Sequence, residues 1–518
     1  MSVTSTRSKV IVTVTGSYIA TAMNIVTAYI SLLVLGPELI GLYQAFLLIR
    51  NYAVYANLGE VESIRKQGAI LWARGEHDEL QQYQDQTLTV ALLTICVVVA
   101  TIGVVGVVQL KPTGLKALTF ATVLVLFGIQ YVDNAFENCL SARNEFELRA
   151  RGGILYAAVA LVSLLLILPF HYVGFLLGRV VAGIVAVLYF HRVLHYRVRL
   201  TRHITEFRTM VKTGLPMSII GFLLAYFVTA DRLVVVHRLG TLQMGIYSIV
   251  PMIGVPLALF VQGTSTVLFT RSSHLLGTRT SLKAIVEDAA VFTRSGDRFA
   301  PQLVCVLIFF LPLVITLMLP RYEGAIAAAQ IAVLGYCFYG MASPFANLFI
   351  VLDRPRLFVA ILLASGSAIV VLGNVGVAAG HGLAGVAVGS AVGCFVYSLS
   401  TMYFPLRWAG HGIVDTLGLL VRQIQYTLTF MGLAAVILLI IRAFAVRWVL
   451  VSTIVGVVFA IGSAPTLARV LRKAVQYSSG LSLPGKAAVP SSALEITTLQ
   501  PGSVCGTDVT ARPTSGLT

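Results

Sequence analysis

Residues 35–43 have the sequence Leu-Gly-Pro-Glu-Leu-Ile-Gly-Leu-Tyr, and residues 239–247 have the sequence Leu-Gly-Thr-Leu-Gln-Met-Gly-Ile-Tyr. Both stretches follow the pattern Leu-Gly-x-x-x-x-Gly-(Leu or Ile)-Tyr. Each one ends a long apolar run and begins the next, so each predicts a turn between two membrane-spanning helices. The chain therefore contains an internal repeat, and each copy of the repeat begins with a helical hairpin.

The composition places these runs in a membrane. Of the 518 residues, 57% are hydrophobic and only 11% are charged, whereas a soluble domain carries about 25% charged residues. The mean hydropathy is +0.88. So few charges cannot cover the surface of a soluble, secreted or fibrous protein of this length. Outer-membrane barrels alternate apolar and polar residues instead of forming long apolar runs, so the composition predicts an all-α polytopic membrane protein.

A membrane-spanning helix needs about 20 apolar residues. By this criterion the sequence predicts about 14 transmembrane helices, here numbered as spans 1 to 14 in chain order. Their predicted ranges are 10–34, 37–58, 87–110, 117–140, 153–170, 172–191, 213–237, 243–269, 299–319, 325–350, 357–379, 382–404, 424–441 and 446–468.

The basic residues predict the orientation. Lys and Arg collect on the cytoplasmic side of membrane proteins, so the net charge of +16 does not indicate a nucleic-acid partner. With the N-terminus inside, most of the 37 Lys and Arg residues fall on inner segments. Both termini are therefore predicted to be cytoplasmic in a multi-pass membrane protein. The few basic residues on outer segments are Lys111, Lys116, Arg238, Arg321, Arg442 and Arg447.

The repeat predicts the domain organisation. Six spans separate its two copies, and an even number preserves the orientation, so the halves are parallel repeats of a kind found in transporters. We predict two pseudo-symmetric six-helix lobes at 1–212 and 213–423, two appended helices at 424–475 and a disordered cytoplasmic tail at 476–518. The last span of each lobe is rich in glycine, which tight helix packing alone would also explain.

The repeat and the segments around it contain several short motifs, namely Leu35-Gly36-Pro37, Gly41-Leu42-Tyr43, Asn57-Leu58-Gly59, Thr213-Gly214-Leu215-Pro216, Asp231-Arg232, Leu239-Gly240 and Gly245-Ile246-Tyr247. Together they resemble the polysaccharide transporter family of Wzx-type O-antigen flippases, within the multidrug/oligosaccharidyl-lipid/polysaccharide exporter (MOP) superfamily. The resemblance implies two lobes around a central cavity and the movement of polyprenyl-diphosphate-linked oligosaccharides across the bacterial inner membrane. It also implies that the protein works with membrane lipids, a polysaccharide polymerase and the chain-length machinery.

Polar residues within the spans predict the walls of a substrate cavity, because charges inside a membrane usually face a cavity or a partner. On each of three helices, the helical period places several polar residues on one face. These are Thr13, Ser17, Thr21 and Asn24 of span 1; Tyr43, Arg50 and Asn57 of span 2; and Ser218, Thr229 and Arg232 of span 7. The alternative explanation for the Ser and Thr residues is that their hydroxyls bond to carbonyls of their own helix and aid packing. Arg179 of span 6 either contacts the substrate or extends outward to water.

Three carboxylates are candidates for a cation-coupling site or for structural ion pairs. Asp133 and Glu137 lie at the inner end of span 4, where an early end of the span would place both in water. Asp231 of span 7 lies on a different face from Arg232, which favours a pair with another helix. The sequence is compatible with either a proton or sodium as the coupling ion.

The sequence indicates no cofactor and no metal site. His191 and His195 have the spacing of a metal-binding pair, but Arg192, Arg197 and Arg199 surround them and repel a dication. The chain contains no phosphate-binding loop and no hydrolase or metalloprotease motif. We therefore expect a transporter that is not an enzyme and does not itself hydrolyse ATP.

Three functions fit these observations. The first is a flippase for lipid-linked oligosaccharides that supplies the synthesis of O-antigen, capsule or exopolysaccharide. The second is a cation-coupled exporter of small molecules, which the deep positive charge of Arg50 disfavours. The third is a membrane glycosyltransferase or polymerase, which the short outer loops disfavour because they carry few ionisable groups.

The predicted orientation can be tested with single cysteines in a variant whose six native cysteines have been replaced. Cysteines at Thr113 and Gly380 should react with an impermeant thiol reagent added outside intact cells, whereas cysteines at Gln81 and Ser281 should not. Labelling at Gln81 or Ser281 under these conditions would contradict the fourteen-span topology.

Overall fold

The computed structural model describes residues 3–143, 145–194, 201, 206–254, 257, 281–298, 300–443 and 449–463. Regular structure in these ranges is entirely helical, so the predicted fold class is confirmed. The predicted tail at 476–518, much of span 8 and the metal-pair candidate His195 lie outside the described residues.

Ten of the described helices are long and apolar enough to cross a membrane. Breaks within the long helices separate spans 1 and 2 at Gly36, spans 5 and 6 at His171 and spans 7 and 8 at Gly240. The long helices are Val3–Ala53, His77–Leu110, Leu115–Ala142, Phe146–Val162 with Ile167–Val193, Phe207–Tyr247, Ala300–Met318, Ile326–Val351, Pro355–Ala378, Gly382–Trp408 and Ile413–Ala443. A shorter apolar helix follows at Val449–Ser463.

The two copies of the repeat share one backbone conformation at the turn. Gly36 has φ 73° and ψ 174°, and Gly240 has φ 85° and ψ −179°. This region of φ and ψ is essentially restricted to glycine. The Leu-Gly pattern therefore fixes the same sharp break at the same point of each half.

The glycine-rich last spans pack closely on the spans before them. A Cβ atom at Gly174 would lie 1.9 Å from the Leu166 carbonyl oxygen, and one at Gly385 would lie 2.6 Å from the Gly376 carbonyl carbon. These distances are too short for any side chain. Tight packing of spans 5 and 6, and of spans 11 and 12, therefore accounts for these glycines.

Short helices continue from the ends of the spans that are predicted to face the cytoplasm. After span 2 the chain forms Glu60–Ser63, a π-helical turn at Ile64–Gly68 and Ala69–Arg74. Before span 9 lies the amphipathic helix Leu282–Asp297, whose Ile285, Val286 and Ala289 are buried. Both segments carry charged residues next to the ends of the spans.

Asp297 holds span 13 against the rest of the bundle. Its buried carboxylate accepts hydrogen bonds from the Thr427 hydroxyl at 2.6 Å and from the backbone N–H groups of Thr427 and Tyr426 at 2.9 and 3.0 Å. Burial raises the pKa of the Asp297 carboxyl, and these three bonds oppose that rise. The helix begins at Ile413, before the predicted start of span 13 at 424.

We expect Asp297→Ala to weaken the attachment of span 13, because buried groups that lose a hydrogen-bond partner cost about 1–3 kcal/mol each. The melting temperature of the purified protein in detergent should fall, and Asp297→Asn should show a smaller loss because it keeps one acceptor oxygen. The exposed acid Asp415 provides the control Asp415→Ala, which should melt like the parent. An unchanged melting temperature in Asp297→Ala would contradict this role.

Candidate functional site

Span 2 contacts the helix of spans 7 and 8 near both of its ends and at points between them, and this line of contact is here called the seam. Near the turn of each repeat, Gly41 faces Gly245. A Cβ atom at Gly41 would lie 1.9 Å from the Thr241 carbonyl oxygen, and one at Gly245 would lie 1.7 Å from the Pro37 carbonyl oxygen. The two backbones therefore touch directly, and we name this the outer contact, following the predicted orientation.

A second glycine pair lies at the other end of the seam. A Cβ atom at Gly214 would lie 1.7 Å from the Gly59 carbonyl oxygen, and one at Gly59 would lie 2.1 Å from the Leu215 backbone nitrogen. Gly59 also has a φ of 92°, which favours glycine. We name this the inner contact; both ends of the seam are closed in this conformation.

Polar side chains join the helices between the two contacts. The hydroxyls of Tyr52 and Thr229 lie 2.6 Å apart. Nearer the inner contact, the Ser218 hydroxyl donates to Asn57 Oδ1 at 2.6 Å, and the same oxygen accepts from the Gly59 N–H at 3.1 Å. Of the residues predicted on one face of span 2, Asn57 therefore meets Ser218 of span 7 at the seam, whereas Tyr52 lies outside that predicted face.

Arg50 and Arg232 carry guanidinium groups that are only partly satisfied. Arg50 Nη2 lies 3.4 Å from Asn51 Oδ1, and Arg232 hydrogen-bonds with Tyr336. The Nε atoms of both arginines are buried and have no hydrogen-bond partner among the described residues. Neither arginine forms an ion pair in this part of the chain.

Arg179 and Tyr43 come together on the ring of Phe175. The Tyr43 ring packs edge-on against Phe175 with centroids 5.0 Å apart, and the Arg179 guanidinium lies 5.3 Å from the Phe175 centroid. Arg179 also hydrogen-bonds with Tyr156. Its positive charge is therefore held by aromatic groups within the N-terminal half.

Asp231 bonds to neutral groups rather than to the guanidinium of its neighbour. Its Oδ2 accepts from the Tyr247 hydroxyl at 2.8 Å and lies 3.5 Å from the Ser390 hydroxyl, and its Oδ1 accepts from the Arg232 backbone N–H at 2.8 Å. The carboxylate thus links span 7 to the start of span 8 and approaches span 12.

The carboxylates of span 4 differ in their surroundings. Glu137 pairs with Arg149, whose Nη2 lies 2.9 Å from Glu137 Oε2. Asp133 Oδ1 is buried without a hydrogen-bond partner among the described residues. Glu137 lines a polar cavity of about 180 Å³ together with Asn134, Asn138 and the inner end of span 2. This cavity lies within the N-terminal half beside the inner contact.

The polar stripe of span 1 does not join these groups. Thr21 donates to the carbonyl oxygen of Ser17 in its own helix at 2.8 Å, and Asn24 is exposed. Sequence reasoning also missed two contributors to the seam region. Tyr336 lies in a run of apolar residues, and Glu60 lies in a stretch assigned to a cytoplasmic loop; the only available signal for Glu60 is its position directly after Gly59.

No protein-family model matches this chain, and no curated protein sequence matches it. Solved structures do match. The lipid II flippase MurJ in an inward closed conformation superposes with a TM-score of 0.61 at 13% identity, covering 89% of this chain and 99% of that one. This chain therefore shares its fold with that flippase structure.

Two further structures support this assignment of the fold. An inward-facing multidrug resistance transporter of the MATE family, within the MOP superfamily, gives a TM-score of 0.60 at 15% identity over 76% of this chain and 94% of that one. A MOP-superfamily transporter from Pyrococcus furiosus gives 0.53 at 15% identity over 77% of this chain and 94% of that one. Each is a transporter that is similar to this chain in architecture.

The two glycine contacts can be tested with a matched pair of substitutions. Gly245→Ala and Gly214→Ala each place a Cβ atom 1.7 Å from a backbone oxygen, one at the outer contact and one at the inner contact. With a single cysteine at Thr229, Gly245→Ala should increase labelling from outside, and Gly214→Ala should increase labelling from the cytoplasmic side. The measurement is the rate of reaction with an impermeant thiol reagent in right-side-out and inside-out vesicles.

Gly432→Ala is the control, because a Cβ atom at Gly432 meets no atom within 4 Å. It should leave labelling from both sides unchanged. Equal labelling from one side in both seam variants would show that the seam does not close the path across the protein.

Proposed function

We propose that this chain is a flippase that moves polyprenyl-diphosphate-linked oligosaccharides across the inner membrane for the synthesis of surface polysaccharides. The observation that carries the proposal is the embedded positive charge. Arg50, Arg179 and Arg232 lie within helices that are long and apolar enough to cross a membrane. None of the three pairs with a carboxylate in the described part of the chain.

An anionic substrate would compensate the positive charge of these arginines. A positive charge inside a bilayer costs about 2.5–3.5 kcal/mol on insertion scales unless a cavity or a partner compensates it. Guanidinium groups bind phosphate oxygens through two parallel hydrogen bonds. The free Nε atoms of Arg50 and Arg232 are donors of this kind, so a diphosphate is the substrate group that best fits them.

Transport would follow from opening the seam at one end at a time. The outer and inner glycine contacts lie at different positions along the helices and involve different residues. The Tyr52–Thr229 contact lies between them. The headgroup would enter past the inner contact, reach Arg50 and leave past the outer contact. The sugars would lie against hydroxyl and aromatic groups, while the polyprenyl chain stays in the lipid.

Movement against a gradient needs an energy source, and we propose coupling to a proton or to sodium. Asp133, with its unpartnered buried oxygen, and Asp231, held by neutral donors, are the candidate coupling groups. The product would pass to a polysaccharide polymerase and its chain-length machinery on the outer side of the inner membrane. Both chain termini would remain in the cytoplasm.

A cation-coupled exporter of small molecules is the second candidate. It is favoured by the similarity to the inward-facing MATE-family multidrug transporter, whose fold this chain shares. The three embedded arginines disfavour it, because a cavity with excess positive charge repels cationic drugs. Cells from which the gene for this protein is deleted should therefore keep the parent sensitivity to cationic drugs and should make less surface polysaccharide.

Arg50 provides the test of the proposed function. Arg50→Ala should lower translocation of a lipid-linked oligosaccharide by about tenfold to a hundredfold, because a hydrogen bond to a charged group contributes about 1.5–3 kcal/mol. Arg50→Lys should retain part of the activity, since the charge remains while the bidentate geometry is lost. The measurements are flipping in proteoliposomes, surface polysaccharide in cells and protein abundance in the membrane.

Arg238→Ala is the control. Arg238 is exposed, and its Nε donates a hydrogen bond of 2.6 Å to Asn374 Oδ1, which is not part of the seam. It should transport like the parent. Full transport by Arg50→Ala would refute the phosphate-binding role. An unstable Arg50→Ala protein that Asp133→Asn restores would assign Arg50 a structural partner instead.

A further inference from the structure

The polar cavity beside the inner contact borders the seam. Its volume is about 180 Å³, which is room for roughly ten water molecules. Two of its lining residues, Tyr55 and Asn57, also contact span 7. A Cβ atom at Gly221 would lie 2.5 Å from Cε1 of the Tyr55 ring, and Asn57 accepts a hydrogen bond from Ser218. The cavity is therefore adjacent to the path that the proposed function assigns to the substrate headgroup.

Several hydrogen-bonding groups that line this cavity have capacity to spare. The side chain of Asn134 and the hydroxyl of Tyr55 form no hydrogen bond within the described part of the chain. Asn138 donates from Nδ2 to the Val61 carbonyl oxygen at 3.2 Å, and its Oδ1 accepts nothing from the described residues. The lining therefore offers both donors and acceptors to a ligand.

The charges around the cavity balance each other. Two acids, Glu62 and Glu137, and two bases, Arg65 and Arg149, contribute to the lining. Glu137 pairs with Arg149, whereas Glu62 and Arg65 form no ion pair among the described residues. A phosphate or a cation would each meet repulsion from half of these charges. A neutral ligand with many hydroxyl groups, which both donate and accept, fits this mixed lining.

The cavity begins one helical turn from Arg50. Val54, which lines it, donates its backbone N–H to the Arg50 carbonyl oxygen at 3.1 Å. One turn of helix advances about 5.4 Å along the axis. The first sugar of a lipid-linked oligosaccharide is bonded directly to the diphosphate. A diphosphate held near Arg50 would therefore bring this sugar close to the cavity.

We propose that this cavity is a binding site for the first sugar ring of the lipid-linked substrate, recognised as a neutral group rich in hydroxyls. This rests on the proposed function, in which Arg50 binds the diphosphate. Asn134 would both donate to and accept from sugar hydroxyls, Glu62 would accept and Arg65 would donate. A site made of polar groups that need partners discriminates against a ligand that leaves them unpaired. Binding therefore depends on the sugar as well as on the diphosphate.

The test compares two probes on the purified full-length protein in detergent. One is farnesyl diphosphate, and the other is farnesyl diphosphate that carries a single glucose, galactose or N-acetylglucosamine residue. The parent should bind at least one of the sugar-bearing probes about fivefold or more tightly than the bare one, the effect of one or two neutral hydrogen bonds. Asn134→Leu should remove this preference and keep the parent dissociation constant for the bare probe. Its melting temperature should match the parent, because Asn134 has no hydrogen bond to lose among the described residues.

Asn374→Leu is the matched control, since Asn374 lies on span 11 and bonds with Arg238 instead of lining the cavity. It should keep the preference for the sugar-bearing probe. Arg65→Ala should keep the parent affinity for the bare probe, whereas Arg50→Ala should weaken the binding of both probes.

Three results would overturn the proposed sugar site: equal binding of all probes by the parent, a preference that survives in Asn134→Leu, or an equal loss of both probes in Arg65→Ala. The last would show that the cavity binds phosphate. If Arg50→Ala leaves both affinities unchanged while Asn134→Leu removes the preference, the sugar site stands and the proposed role of Arg50 fails. If the parent binds neither probe, the proposed function fails and the sugar site fails with it.

Discussion

Direct backbone contact between glycines holds the two halves of this protein together, and the other contacts of the seam depend on it. Gly41 with Gly245, and Gly59 with Gly214, bring span 2 so close to spans 7 and 8 that no side chain would fit between them. Only at this separation can Tyr52 reach Thr229 and Asn57 reach Ser218. In a membrane, where burial of apolar surface drives helix association little, such close packing is a main source of attraction.

The proposed mechanism requires the helices to separate at the seam. The contacts at its two ends are made of small residues and a few hydrogen bonds, without an ion pair between the helices among the described residues. Separation of either contact would therefore break no ion pair in this part of the chain. By contrast, the close contacts of Gly174 and Gly178 join spans 5 and 6 within one half.

The distribution of charge within the bundle is uneven in a way that bears on function. The acids Asp231, Asp297 and Glu60 all receive hydrogen bonds from neutral donors. The guanidinium groups of the embedded arginines lie beside aromatic and amide groups. In the described part of the chain, none of these arginines forms an ion pair with a carboxylate.

The sequence by itself determined the helical membrane fold and the turns at Gly36 and Gly240, because apolar length and glycine geometry are local properties. It could not determine which faces meet. Only the tertiary structure shows that Asn57 pairs with Ser218 and that Glu137 forms its ion pair with Arg149, not with Arg50. It also shows that Glu60 is buried, although the sequence around it predicts a polar loop. The physical reason is that burial and partnership depend on residues distant in the chain, such as Tyr131 and Gly214, which no local pattern around Glu60 reveals.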